Sequence, residues 1–358
     1  MSNYFSDRDA KNIIRLKEII KELPRFANEF FVGISLRTSV LTRLNYAYDL
    51  RIFFDYLSKK DVLNKEILSI ELKDVEELSA FDIELFLEYL TMYEFNGRVN
   101  QASAAAKERK LSTIRSFYKY YYKKDKILSN VASKVDMPKV LDKDIVKLEP
   151  NEVADLLDRI DADEVAGLSS RQNKMHHKLK IRDSAIITLF LGTGIRISEL
   201  VGLNVADIHF ESNSFNVTRK GGSNTSLYFT DEIANALRNY LNYLRDEIIN
   251  ETKFGVMLKN NKYDKKYALF ISLKGTRITV RAVENLVKKY SRLVTVKKIT
   301  PHKLRSTFGT ELYKNTQDIY VVADVLGHKD VNTTKKHYAA ISEEIRRAAA
   351  KTVKLRDE

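Results

Sequence analysis

Four prolines in 358 residues, at positions 24, 138, 150 and 301, leave long stretches in which nothing interrupts a helix. Proline removes a backbone donor and clashes with the preceding turn, so its scarcity matters. Glycine is equally sparse between the first two prolines, where only Gly33 and Gly97 occur. Within those limits the apolar residues recur at helical spacing. Ile13, Ile14, Leu16, Ile19 and Ile20 mark an amphipathic helix over Asp9 to Glu22. Leu44, Tyr46, Tyr48, Leu50, Phe53, Phe54, Tyr56 and Leu57 form a wide stripe, and 80–90 and 104–122 repeat the pattern. The expected fold class is therefore mainly α.

A length of 358 residues favours two domains over one. Pro138 and Pro150 bracket a charged stretch without a strong period, the best place for a connection. The expected organisation is a helical domain over 1–138 with an N-terminal extension helix, a linker over 139–150 and a second domain over 151–358. In the second, 150–160 and 181–201 read as helices, the latter with a turn near Gly192-Thr-Gly194. Phe215–Val217 and Leu227–Phe229 read as strands joined by the turn Lys220-Gly-Gly-Ser-Asn224, giving this domain a small antiparallel sheet. The final segment, 341–353, reads as an amphipathic helix able to dock either on its own domain or on a neighbouring protomer.

Net charge is +13, a surplus that points to a polyanionic partner, nucleic acid being the commonest. From Gly97 to Lys126 nine Lys or Arg stand against two acids, with tyrosines interleaved. Arg98, Lys107, Arg109, Lys110, Arg115 and Lys119 are therefore the expected phosphate contacts of the first domain, a solvated basic face being the bland alternative. In 171–182 five basic residues occur without an acid, so Lys174 and Lys178 join them on what reads as a DNA-facing loop around His176-His177. No cysteine is present, which excludes disulfides and thiolate chemistry and fits a reducing cytosol. No apolar run approaches a membrane span, and the expected location is cytoplasmic.

Chemistry concentrates in the second half. Thr300-Pro301 is a good helix start, with Thr as N-cap and Pro at the first helical position. His302 then sits in the first turn, where unpaired N–H groups and the helix dipole favour a phosphate and a neutral imidazole. Arg305, three residues on, shares its face. Arg196 lies in an apolar helix and needs a partner there. Either it forms a structural pair with Glu199, or it joins Arg305 in forking onto a phosphate while Glu199 orients the site. Lys220 at the hairpin turn could protonate a leaving oxygen or be an ordinary turn lysine.

Four segments, in order, carry a resemblance: Thr193-Gly-Ile-Arg-Ile-Ser-Glu-Leu200, His302-Lys-Leu-Arg305, Leu326-Gly-His328 and Thr333-Thr334 leading to Tyr338. Together they resemble the motifs of tyrosine site-specific recombinases of the phage integrase/Xer family. In the first domain, Thr42 to Tyr56 and Lys110 to Tyr121 are similar to that family's DNA core-binding helices. The resemblance implies a two-domain DNA clamp, made of a helical core-binding domain and a catalytic domain. It further implies action as a tetramer on synapsed duplex DNA with inverted half-sites, without cofactor or metal.

By the same resemblance Tyr338 is the nucleophile that forms a 3′-phosphotyrosyl intermediate, and Arg196 and Arg305 stabilise the transition state. His302 accepts the phenol proton, His328 holds a non-bridging oxygen, Lys220 rather than Arg219 is the general acid, and Glu199 supports. Ser306 stands where a second histidine is frequent in the family, and the interval from His328 to Tyr338 is one residue longer than in the best-known Xer members. The extension helix and the Val217–Gly222 hairpin resemble the Xer variant that works as a single protein, which implies chromosome dimer resolution. A mobile-element integrase, a type IB topoisomerase and a DNA-binding protein without catalysis are the alternatives.

Overall fold

The computed structural model describes residues 4–59, 61–140, 145–219, 222–245, 268–328, 330–332, 334 and 335. Its internal contacts divide the chain into two compact units, 1–143 and 144–358. The division falls inside the stretch expected to be the linker. Both units are mostly helical, and each carries a small antiparallel sheet. No helix among the described residues is long and apolar enough to cross a membrane.

The first unit contains α1 (Tyr4–Ile20), α2 (Ala27–Gly33), α3 (Val40–Leu57), α4 (Leu72–Glu76), α5 (Ala80–Tyr89) and α6 (Ala104–Tyr122). Their starts are set by side chains that take up otherwise unpaired N–H groups. Ser39 accepts from Thr42 N at 3.2 Å, Ser103 from Ala106 N at 3.3 Å, and Ser79 forms a reciprocal box with Asp82. The extension helix begins five residues earlier than its apolar spacing indicates and buries only Leu16 and Ile19, leaving Ile14 exposed. The core is unusually aromatic: Phe30 meets Phe117 at 5.3 Å, Phe53 meets Phe86 at 5.1 Å and Phe117 meets Tyr121 at 5.0 Å between ring centroids.

Helical spacing misleads at one place in this unit. Tyr93–Phe95 (β1) and Arg98–Asn100 (β2) form an antiparallel hairpin in what reads as an all-helical domain. Asn96 and Gly97 both take positive φ, 52° and 69°, the conformation that two-residue hairpin turns demand. Arg98 therefore stands on a strand, exposed, and not on the basic helix.

A buried carboxylate ties α3 to α6. Asp49 is 2% exposed and accepts from Lys110 Nζ at 2.9 Å, from Thr113 Oγ1 at 2.9 Å and from Arg109. Lys110, expected at the DNA face, is thus corrected to an internal partner of Asp49, only 4% exposed. Arg115 also turns inward: its Nε donates to Ala132 O at 3.1 Å and its Nη2 to Val135 O, holding the 131–135 segment against α6. The basic count along 97–126 cannot distinguish cations that face solvent from cations that satisfy a core.

The second unit contains α7 (Pro150–Asp161), α8 (Ser170–Thr193), α9 (Ile197–Gly202) and a three-stranded sheet of β3 (Ile208–His209), β4 (Ser214–Thr218) and β5 (Asn224–Tyr228). Helices α10 (Asp231–Asn239), α11 (Val280–Val294), α12 (Pro301–Thr316) and α13 (Ile319–Leu326) follow. Strand β4 lies in the middle, with Phe215 opposite Leu227 and Val217 opposite Thr225, so its apolar face covers the core. Helix α8 packs on α7, α10 and α12. The segment expected as a DNA-facing loop, 171–182, is instead part of α8.

Two outcomes follow from burial. Removing the Asp49 carboxylate (Asp49→Ala) strands the Lys110 ammonium in the core and should cost about 3–5 kcal/mol. Arg109→Ala, at a half-exposed partner, should cost about 1 kcal/mol or less; urea unfolding of both variants decides. Burial, reinforced by neighbouring carboxylates, also raises the phenol pKa of Tyr118, Tyr121 and Tyr290 above the usual 10.0. The folded state then keeps protons that the unfolded state gives up, so stability must fall as pH rises beyond about 10. Absorbance titration should show a late cooperative phenolate step coinciding with loss of helix; ionisation of all 19 tyrosines before unfolding would contradict it.

Candidate active site

The segment 181–201 divides at the turn expected near Gly192-Thr-Gly194, and that turn makes the site. Helix α8 ends at Thr193, and Gly194 takes φ 60° and ψ 24°. Only glycine suits this position, because a Cβ would also stand 2.4 Å from Phe308 Cδ1. Arg196 follows in extended conformation as the N-cap of α9, a correction to its expected place within a helix. Glu199, 4% exposed, accepts from Arg196 N at 3.0 Å and from Arg196 Nη1 at 2.8 Å. One carboxylate thus caps the helix and aims the guanidinium.

Helix α12 begins as expected with Thr300 extended and Pro301 in the first turn, although the Thr300 side chain makes no capping bond. His302 is exposed in that first turn, whereas Arg305, on the next, is 5% exposed. Asp318 starts α13 by accepting from Tyr320 N at 2.7 Å and Val321 N at 3.2 Å. The end of α13 is a complete Schellman turn. Gly327 takes φ 61°, its N–H donates to Asp324 O at 2.8 Å, and His328 N donates to Ala323 O at 2.8 Å.

Such an end leaves the last carbonyls without helical partners. Three successive carbonyls are each taken by a different arginine. Arg219 Nη2 donates to Val325 O at 2.9 Å, Arg305 Nη2 to Leu326 O, and Arg196 Nη2 to Gly327 O at 2.8 Å. Arg305 Nη1 also donates to Gly194 O, joining the two glycine turns. His328 follows at once, with Nδ1 2.7 Å from Oγ1 of the fully buried Thr334. The sequence elements around 196, 305 and 328 therefore converge on one turn.

The electrostatics suit an anion. Three guanidiniums and an imidazole gather at the negative end of a helix, with Glu199 and Asp324 as the carboxylates that act on Arg219. Burial lowers the pKa of Arg219, the Glu199 charge opposes that, and Arg196 adds to it. A guanidinium nonetheless stays charged in proteins. Such a cluster can hold a phosphodiester through donors already fixed by the protein.

Arg219 is the residue that sequence reasoning passed over. It was weighed only as a second candidate for the general acid and set aside, because Lys220 and not Arg219 abuts the turn glycines. Lys220 and Tyr338 lie outside the described residues, as do His337 and the segment 341–353. His176 corrects another expectation. It is fully buried, with Nε2 2.8 Å from Ala162 O and Nδ1 2.8 Å from the Tyr290 hydroxyl, which donates to Asp183 Oδ2 at 3.0 Å. This network ties α8 to α11 and to the end of α7 and faces no solvent. Its neighbours Lys174, His177 and Lys178 are exposed on α8. His209 is exposed on β3 and pairs with Asn216 at 3.0 Å. In the first unit Arg98 and Lys119 are exposed, Arg109 is half exposed beside Asp49, and Lys107 donates to Thr91 Oγ1 at 2.7 Å.

Comparison with known proteins gives the family. Residues 158–344 match the phage integrase family, and 27–125 match the phage integrase N-terminal SAM-like domain. Tyrosine recombinase XerC of Caldanaerobacter subterraneus subsp. tengcongensis is 33% identical over 86% of this chain and 80% of its own. Tyrosine recombinase XerS of Streptococcus agalactiae is 31% identical over 95% of this chain and 98% of its own. Among solved structures, XerH site-specific recombinase bound to palindromic difH substrate superposes with a TM-score of 0.64 at 21% identity, covering 87% of this chain and 80% of that one. The Tn1549 transposon integrase with a circular intermediate DNA gives 0.59 at 19% identity, covering 89% and 98%. The chain belongs to the phage integrase family, as a Xer-like tyrosine recombinase that cuts and rejoins DNA strands.

Proposed function

We propose that this recombinase works through Tyr338 on a phosphate held by Arg196, Arg305 and His328, and that it resolves chromosome dimers as a single Xer-like protein. The observation that carries the site assignment is the convergence of Arg196, Arg305 and His328 on the turn after α13. What supports the biological role is the match to XerS relatives, which spans 95% of this chain and 98% of theirs.

In the proposed reaction Tyr338 Oη attacks the scissile phosphorus as the bond to the 5′ oxygen breaks. The phenol proton passes to His302, and Lys220 delivers a proton to the departing 5′ oxygen. Arg196, Arg305 and His328 neutralise charge building on the non-bridging oxygens, where donors fixed in advance contribute most. Religation is the reverse, with a 5′ hydroxyl from the partner strand as nucleophile. The phosphotyrosyl bond retains the energy of the phosphodiester, so the exchange requires no nucleotide hydrolysis.

Both units engage the same duplex in this reading. Arg98, Lys107, Arg109 and Lys119 contact phosphates from the first unit, and Lys174 and Lys178 from the second, with two inverted half-sites and a tetramer at synapsis. Lys110 and Arg115 are left out of that set because Lys110 is buried against Asp49 and Arg115 is turned toward the carbonyls of Ala132 and Val135. The enzyme would act in the cytoplasm, on the chromosome itself.

Covalent trapping tests the chemistry. The cognate site is first selected from a random-sequence duplex pool by the wild-type chain, then offered as a nicked duplex. Wild type should accumulate a phosphotyrosyl adduct and Tyr338→Phe none; an adduct in Tyr338→Phe would remove the nucleophile assignment. Lys220→Ala should slow cleavage of the ordinary substrate by about 10²–10⁴-fold, yet cleave normally when sulfur replaces the 5′ bridging oxygen. Equal loss on both substrates would assign the proton to another group. For the biological role, deletion should leave chromosome dimers undivided only in cells able to recombine homologously.

A further inference from the structure

Arg219 has no place in the roles above, yet it is built into the site more deeply than an ordinary turn residue. Its backbone closes the β4–β5 connection: Arg219 N donates to Ser223 O at 2.8 Å, and Gly222 N donates to Arg219 O at 3.0 Å. Its side chain leaves the hairpin and crosses to the end of α13, donating from Nη2 to Val325 O at 2.9 Å. There the guanidinium covers Gly327 so closely that a Cβ on that glycine would lie 1.1 Å from Nη1. Arg219 Nε is buried without a hydrogen-bond partner among the described residues.

This arrangement is costly unless it serves a purpose beyond packing. A guanidinium is desolvated beside another cation, Arg196, and one of its donors is left unsatisfied. What it obtains is a fixed position for the turn that carries His328. Val325 O belongs to the last turn of α13, and Gly327 is the left-handed residue whose carbonyl Arg196 also grips. Arg219 thus holds the same three-residue span as the two arginines assigned to the phosphate.

We propose that Arg219 is a positioning residue for strand cleavage, locking the end of β4 to the Leu326-Gly327-His328 turn so that His328 and Arg196 meet the phosphate in register. The glycine at 327 serves this contact twice, by adopting φ 61° and by leaving room for the guanidinium. Lysine cannot replace it fully, because one ammonium donates to Val325 O without covering Gly327 with a flat, rigid group. The inference rests on the assignment of His328 to the phosphate in the proposed function.

The test measures single-turnover adduct formation by the full chain on the selected, nicked site, with oxygen or sulfur at the 5′ bridging position. Arg219→Met should bind the duplex as wild type does and cleave it slower by roughly 10–10²-fold, the loss expected from misplaced donors. The loss should persist with sulfur, since the contact governs the phosphate side and not the leaving group. Arg219→Lys keeps charge and stem, guards against a folding failure, and should recover part of the rate. Gly327→Ala should be slow as well, and the double variant no slower than the slower single one, because both break one contact.

Wild-type cleavage by Arg219→Met overturns the proposal. So does full rescue by sulfur, which would tie Arg219 to proton delivery, and so does strict additivity in the double variant. An adduct formed by Tyr338→Phe in the same assay would instead fail the underlying reading, whatever Arg219 does.

Discussion

Three arginines on three consecutive carbonyls define the catalytic unit's site. Val325, Leu326 and Gly327 end a helix, and their oxygens would otherwise be unpaired in a partly buried place. Each is bound by a cation brought from a different element: the β4 end, α12 and the start of α9. A hydrogen bond to a charged donor contributes about 1.5–3 kcal/mol, so the three together hold distant parts of the unit in one register. Helix C-terminus and cations also attract through the macrodipole, which lowers the cost of bringing like charges together. The site and the scaffold are the same set of bonds.

That economy depends on two glycines in left-handed conformation. Gly194 ends α8 and offers its carbonyl to Arg305, while Gly327 ends α13 and offers its carbonyl to Arg196. Arg305 thereby joins both turns from the interior. A side chain at Gly194 would meet Phe308, and one at Gly327 would meet Arg219. Each glycine is fixed by backbone angle and by close approach at once, and neither demand alone names the residue that does the approaching.

The motifs around 196, 305 and 328 were legible because their chemistry is distinctive and ordered along the chain. The helices over 104–122 and 80–89 were legible from spacing alone. What failed did so for identifiable reasons. The Asn96-Gly97 hairpin was hidden inside a stretch whose neighbours have helical periods, although the dipeptide itself carries the signal. Lys110 and Arg115 read as DNA contacts because charge counts carry no direction, and only the tertiary position of Asp49 and of the 131–135 segment turns them inward. His176 read as part of a basic loop because its partners, Tyr290 and Ala162, lie 114 and 14 residues away. Arg219 was weighed only as a rival to Lys220, because its target carbonyl is 106 residues downstream and its contact there has no local sign.

The pairing of Arg196 with Glu199 shows why a structural and a functional reading of one residue need not compete. A guanidinium has five N–H donors in a rigid plane. Arg196 uses Nη1 for Glu199 and Nη2 for Gly327 O. Each terminal nitrogen carries two hydrogens, so neither bond uses up its nitrogen. Binding to protein fixes the plane, and a fixed plane is what makes the other donors effective toward a phosphate, because no reorganisation is then needed in the transition state. The same bonds also explain the choice of arginine over lysine at all three positions. A lysine could satisfy one carbonyl, but it could not take orientation from one partner and present it to another.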